Sequence, residues 1–192
     1  MGREFELKYR ATEEILKAVE EKFGEFTPIS METTYFDTLD HALAARHITL
    51  RRRMENGVSV CTVKTPLADG SRGEWEILWQ ETQTMVAQLI AAGAPEELGE
   101  WTQEGIVPVC GAKFTRLAKS LALEGCEVEL ALDRGVLTGG GREEILCELE
   151  VELKSGEDAG VEAFAVALAV EFGLRPENRS KFKRAQALAK DQ

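Results

Sequence analysis

The feature that most restricts what this chain can fold into is the strict alternation of residues 3–10, REFELKYR. Phe5, Leu7 and Tyr9 fall on one side, and Glu4, Glu6 and Lys8 on the other, which is the period of a β-strand. The pattern recurs down the chain. Arg51 and Arg53 share a face of ITLRRRM (48–54), Thr62 and Lys64 a face of VSVCTVK (58–64), and Arg72, Glu74 and Glu76 a face of RGEWEILW (72–79). Glu127, Glu129 and Asp133 share another, as do Glu148, Glu150, Glu152 and Lys154. The opposite faces carry Val128, Leu130, Leu132, Leu149, Val151 and Leu153.

A sheet with one apolar face on a core and one face in water explains any single strand of this kind. The set is harder to explain that way, because several strands carry almost nothing but Glu or Arg on the polar side. Carboxylates at i and i+2 lie within about 7 Å and repel unless a cation sits among them. If the charged faces point inward across a barrel, a highly charged ligand and a metal must neutralise them. Converging carboxylates make a hard-oxygen site for Mg²⁺ or Mn²⁺. Facing arginines and lysines bind phosphate oxygens.

The remaining elements follow from local signals. Thr12 caps a helix over about 12–23, with Glu13 and Glu14 in its first turn and Gly24 at its end. METTYFD (31–37) reads as a strand, DHALAARH as a short helix or loop, and Asn56-Gly57 as a hairpin turn. Residues 81–93 read as helical, with a short helical piece near 96–104. Strands are expected at about 106–109, 113–121, 126–133 and 144–154, and helices at about 158–172 and 178–190, with Pro176 breaking the chain between them. This order has no βαβ alternation, which argues against a Rossmann fold. The expectation is an α+β chain, mostly antiparallel β. With no linker or internal repeat, residues 1–192 read as a single domain.

Several functions are argued against. The formal charge, 23 − 34 = −11, is unfavourable for nucleic-acid binding. No apolar run approaches the roughly 18–20 residues that span a bilayer. The N-terminus has no signal-peptide core, and Glu6 breaks the myristoylation pattern, so a cytoplasmic location is expected. Cys61, Cys110, Cys126 and Cys147 form no C-x-x-C pair and read as reduced thiols. His41 and His47 have no Ser or Cys elbow near them, so no Ser-His-Asp chemistry is expected. Gly139-Gly140-Gly141 is followed by Arg142 and reads as a turn rather than a phosphate-binding P-loop.

The ordered motifs resemble those of the CYTH superfamily, the triphosphate tunnel metalloenzymes. Glu4-x-Glu6-x-Lys8 resembles its opening E-x-E-x-K, Leu50-Arg51-Arg52-Arg53 its L-R-x-R strand, and Thr62-Val63-Lys64 its T-x-K. Arg72-Gly73-Glu74-Trp75-Glu76 resembles R-x-E-x-E, and Phe114-Thr115-Arg116 its basic strand. Glu127-Val128-Glu129 with Leu132-Asp133-Arg134-Gly135 resembles its E-x-E…L-D-x-G hairpin. Glu148 to Lys154 resembles E-x-E-x-E-x-K, and Ser180-Lys181 with Arg184-Ala185 the closing S-K-x-x-R-A. The resemblance implies an eight-stranded closed β-barrel, open as a tunnel, with peripheral helices and a C-terminal helix. It implies metal ligands at Glu4, Glu6, Glu148, Glu150 and Glu152, with Glu74, Glu76, Glu129 and Asp133 as further acidic candidates. Phosphate contacts fall to Lys8, Arg51, Arg53, Lys64, Arg116 and Arg184, with Lys181 and Arg72 beside them. Water is activated either by a Lys8–Tyr35 dyad or by Glu6 and metal.

The activity implied is metal-dependent hydrolysis of inorganic triphosphate with Mg²⁺ or Mn²⁺, in a monomer or homodimer. Bacterial relatives with this activity carry a longer C-terminal domain, and the expectation here is the tunnel domain alone. The alternatives are a thiamine or nucleoside triphosphatase, a class IV adenylate cyclase, or a polyphosphate-binding module without turnover. The cyclase needs an adenine pocket for which no motif is found.

Overall fold

The computed structural model describes residues 5–67 and 72–190. Its strands are β1 Glu6–Arg10, β2 Thr27–Asp37, β3 Thr49–Glu55, β4 Val58–Pro66, β5 Arg72–Leu78, β6 Val107–Leu123, β7 Cys126–Gly139, β8 Arg142–Gly156 and the short β9 Arg175–Pro176. Its helices are α1 Glu13–Phe23, α2 Ala42–Ala45, α3 Met85–Ala91, α4 Glu97–Trp101, α5 Asp158–Phe172 and α6 Lys181–Lys190. All strands join one sheet in the order β5-β4-β3-β2-β6-β7-β8-β1-β9, and every pairing is antiparallel. The expected α+β, mostly antiparallel architecture is the one observed. Among the described residues, no ladder joins β5 to β1. No helix among them is long and apolar enough to cross a membrane.

Cross-strand partners share a face, so the register can be followed across the whole sheet. Glu74 lies opposite Lys64, and Thr62 opposite Arg51. Arg51 lies opposite Tyr35, and Tyr35 opposite Cys110. Arg116 lies opposite Asp133, and Asp133 opposite Glu148. Glu148, Glu150 and Glu152 then face Arg10, Lys8 and Glu6. Among the described residues, one face of one sheet therefore carries the charged rows of β1, β3, β4, β5, β7 and β8.

The other face is apolar and is covered by helices in two groups. Tyr9, Val128, Leu130, Leu132, Leu149 and Val151 pack with Leu16 and Val19 of α1 and with Val161, Ala165 and Leu168 of α5. Phe36, Leu50, Cys61 and Val63 pack with Leu43 of α2, Met85 and Leu89 of α3, and Leu98 of α4. Each fully buried Leu of these clusters contributes about 1.5–3 kcal/mol before conformational entropy is counted. Helix α6 is the exception. Its Phe182, Ala185 and Leu188 lie on the charged face, against Met31, Tyr35, Ala112, Phe114, Leu137 and Leu146.

Four expectations need correction. Residues 106–109 and 113–121 are one strand, β6, because the interruption at Pro108 and Val109 is absorbed as a bulge opposite Tyr35/Phe36. Strand β7 does not stop at residue 133 but runs on to Gly139, and the turn falls at Gly140-Gly141, both with positive φ. The final helix begins at Lys181, where Ser180 Oγ accepts from Lys183 N, and β9 before it escapes the periodicity because it has two residues. Gly135 is not at a hairpin but inside β7, facing Phe114 of β6.

A Cβ at Gly135 would lie 2.1 Å from the Lys113 carbonyl oxygen and 2.5 Å from Phe114 Cα. Gly135→Ala is therefore expected to destabilise the fold by about 1–3 kcal/mol, read as a lower urea midpoint. An unchanged midpoint would show that β6 and β7 need not approach so closely.

Candidate active site

The acidic end of the charged face is built by β7 and β8. Asp133, Glu148 and Glu150 are all buried and offer carboxylate oxygens within 4.8 Å of one another. Three cations of the chain meet them. Lys181 Nζ lies 2.9 Å from Asp133, 2.7 Å from Glu148 and 2.5 Å from Glu150. Arg116 donates to both oxygens of Asp133, through Nε at 2.8 Å and Nη2 at 2.7 Å, and also contacts Glu150. Arg184 contacts Glu148 and donates from Nε to Glu144 at 2.9 Å.

The electrostatics follow from burial set against these contacts. Burial opposes the charged forms of Lys181 and Arg116, but the surrounding carboxylates outweigh it and hold both well above their ordinary values. Burial would also raise Glu150, yet Lys181 and Arg116 hold it well below the usual carboxylate range. For Glu148 burial wins and its carboxyl is raised, with Lys181 and Arg184 only partly offsetting it.

Beside this trio runs a second acidic row. Glu6 lies opposite Glu152, and Glu152 opposite Glu129. Lys8 reaches Glu6 at 2.9 Å, and Lys154 reaches Glu152 at 3.0 Å. Burial disfavours the Lys8 ammonium, but Glu6 and Glu150 more than compensate and its pKa is raised. Glu4 lies outside the described residues.

The basic end is built by β3 and β4. Lys64 lies 3.3 Å from Glu74, Arg51 3.9 Å from Glu74, and Arg53 3.7 Å from Glu76, while Arg53 also contacts Glu55. The Nε atoms of Arg51 and Arg53 are buried without a hydrogen-bond partner. Burial first, and then the neighbouring Arg51, push the Arg53 pKa down, and Glu55 and Glu76 only partly offset them. Arg116 joins the two ends: its charge reaches Arg53 on one side, and it binds Asp133 and Glu150 on the other.

The structure brings together Arg51, Arg53 and Lys64 at one end, Arg116, Lys181, Arg184, Glu148 and Glu150 at the other, and Glu6, Lys8 and Glu152 beside them. Lys181 and Arg184 lie against carboxylates rather than against the basic wall. Arg72 turns to the His47 carbonyl, 3.3 Å away. Tyr35 and Lys8 stand on β2 and β1, with β6, β7 and β8 between them. Tyr35 is buried with its ring centroid 5.0 Å from that of Phe182, and burial raises its hydroxyl pKa.

Sequence reasoning missed Glu177. Buried just before α6, it accepts from Arg179 N at 2.8 Å and meets Arg10 at 2.5 Å, and its own N–H donates to the Lys8 carbonyl at 2.9 Å. It ties β1 to the start of α6. It lies outside any long strand, so no alternation marks it. Its one signal is its place in Pro176-Glu177-Asn178-Arg179-Ser180, ahead of a helix that begins with lysine.

The class the fold defines is a single antiparallel sheet that carries its carboxylates and its Arg and Lys cations on one face. This chain belongs to the CYTH domain family, whose pattern matches residues 2–185. It is 29% identical over 202 residues to the inorganic triphosphatase of Haemophilus influenzae, in an alignment that covers 100% of this chain and 56% of that protein. The chain thus spans about half the length of that relative. Among solved structures it is similar to PH1819 from Pyrococcus horikoshii, with 26% identity, a TM-score of 0.63, and 94% and 97% of the two chains covered. It also shares its fold with HpAC1 from Hippeastrum, a protein described as having a dominant triphosphatase activity, with 19% identity, a TM-score of 0.68, and 97% and 96% covered.

Proposed function

We propose that this chain hydrolyses inorganic triphosphate to pyrophosphate and phosphate, with Mg²⁺ or Mn²⁺ as cofactor. The observation that carries the reading is the meeting, on one face of the sheet, of a buried carboxylate trio and a pair of arginines whose buried Nε atoms lack partners. The likeness to the Haemophilus influenzae inorganic triphosphatase supports the choice of substrate. The reading includes a cytoplasmic location, in keeping with the four free cysteines.

Asp133, Glu148 and Glu150 fit a divalent cation. They are hard oxygen donors, close enough to share one ion, and already arranged around a positive charge. Glu6 and Glu152 extend the acidic surface beside them. A bound metal supplies charge neutralisation at phosphoryl oxygens.

The chain's own residues do the rest. Arg51 and Arg53 present guanidinium groups to non-bridging oxygens, and Lys64 adds a third positive charge on the neighbouring strand. Arg116, fixed by Asp133, reaches the middle of the anion. Lys8 grips the phosphate end nearest Glu6. Glu6, paired with Lys8 at 2.9 Å, orients the attacking water. Phosphoryl transfer requires little beyond such positioning and charge stabilisation.

The test is phosphate release with Mg²⁺ or Mn²⁺ from tripolyphosphate, thiamine triphosphate, ATP and pyrophosphate, with cyclic AMP assayed from ATP. Tripolyphosphate is expected to turn over fastest, and pyrophosphate to accumulate. Preferential turnover of thiamine triphosphate or ATP would replace the substrate, and cyclic AMP formation would replace the reaction. Tight tripolyphosphate binding without turnover would make the chain a binding module.

A further inference from the structure

The carboxylates assigned to the metal already hold a cation from the chain itself. Lys181 Nζ sits within 2.9 Å of Asp133, Glu148 and Glu150, and its side chain is 12% exposed. A divalent ion shared by these carboxylates would lie about 2.0–2.6 Å from each ligand oxygen. An ammonium and such an ion cannot both occupy that space, so the two are alternatives.

Of the three cations around the trio, Lys181 is the one built to leave. Arg116 is held by two parallel bonds to Asp133, and Arg184 spans Glu144 and Glu148. Lys181 is a point charge on a flexible four-carbon stem with no fixed bond geometry. It is also the first residue of α6, where the helix dipole disfavours a positive charge. Its Nζ lies 5.4 Å from the centre of the Phe114 ring, and Phe114 neighbours Met31 of β2 in the ladder. A short swing past Phe114 therefore carries the ammonium from the acidic end toward the basic end. The Tyr35 hydroxyl already feels both Lys181 and Arg51, so the two cations approach one region.

The charge balance gives the swing a purpose. Asp133, Glu148 and Glu150 carry three formal negative charges, matched by Lys181, Arg116 and Arg184. Exchange of Lys181 for a divalent ion leaves the trio with a net positive charge and frees one more cation for an anion.

We infer that Lys181 is an internal counter-ion exchanged for the metal, and that its displaced ammonium turns from the carboxylates to the triphosphate, so that metal loading precedes tight anion binding. This rests on the reading that the trio is the metal site.

The experiment uses the full chain and Mn²⁺ alone, titrated calorimetrically into the wild type, Lys181→Met and Asp133→Asn. Lys181→Met is expected to bind Mn²⁺ at least ten-fold more tightly than the wild type, and Asp133→Asn to lose binding. A second readout needs no variant: the wild type is acetylated with limiting acetic anhydride, with and without Mg²⁺, and read lysine by lysine by mass spectrometry. Mg²⁺ should raise labelling of Lys181 several-fold relative to exposed Lys17. If Asp133→Asn loses Mn²⁺ while Lys181→Met binds no more tightly than the wild type and Lys181 stays protected, the exchange is wrong and the metal site stands. If Asp133→Asn binds Mn²⁺ as the wild type does, the metal has been misplaced and both readings fall.

Discussion

Glu150→Gln is expected to lower the turnover of triphosphate at saturating Mg²⁺ by about two to three orders of magnitude, the usual scale for removing one pre-organised electrostatic partner. Glu150 is buried between Lys181, 2.5 Å away, and Arg116. The variant keeps the volume and removes the charge. Two buried cations then lose a shared partner, so stability should fall as well, by about 3–5 kcal/mol. The loss has a definite pH dependence. The Glu150 pKa is depressed in the folded chain, so its contribution is present above the ordinary carboxylate pKa near 4.5 and disappears as pH falls through the lower folded value. The stability gap between wild type and variant should therefore be full at pH 7 and close in strong acid. Glu148 works in the opposite sense: its raised carboxyl makes ionisation a cost that appears as pH rises through its folded value. Glu144→Gln is the control, because Glu144 bonds Arg184 but stands outside the trio. A folded Glu150→Gln enzyme with near-normal kcat would remove Glu150 from the site.

How much of this was legible in the sequence depends on which physical quantity the sequence encodes. Alternation reports the face of a strand, and it placed Glu6, Lys8, Arg51, Arg53, Lys64, Glu148, Glu150 and Glu152 on the face the register confirms. Alternation does not report depth. Asp133 and Glu129 lie on the same side of β7, yet Asp133 is fully buried beside Lys181 and Glu129 is half-buried near Lys154. The difference comes from where α6 lands, and that is set by long-range packing of Phe182, Ala185 and Leu188 on β2, β6, β7 and β8. Lys181 and Arg184 could be tied to the site by motif resemblance, but not to the acidic end of it. The motif resemblance puts Gly135 in a hairpin, whereas it lies inside β7. Its use here is the close approach of β6, which only the paired strand reveals.

Arg53→Ala should separate binding from folding more sharply than any other change. A charge-assisted contact of this kind is worth about 1.5–3 kcal/mol, so the KM for triphosphate is expected to rise by roughly 10- to 150-fold. The stability of the ligand-free chain should move the other way or hardly at all. Arg53 is pushed down by burial and by Arg51, so its charge is an expense to the folded chain that Glu55 and Glu76 do not fully offset. Removing it relieves that repulsion, and the melting temperature without ligand should hold or rise. The thermal shift produced by adding tripolyphosphate should shrink, because that shift follows the binding constant. Arg53→Lys tests the geometry: a lysine restores the charge but not the planar pair of donors, so recovery of KM should be incomplete. If Arg53→Ala instead unfolds the ligand-free chain at a lower temperature and leaves KM unchanged, the arginine is a structural ion-pair residue and the basic wall must be rebuilt around Arg51, Lys64 and Arg116.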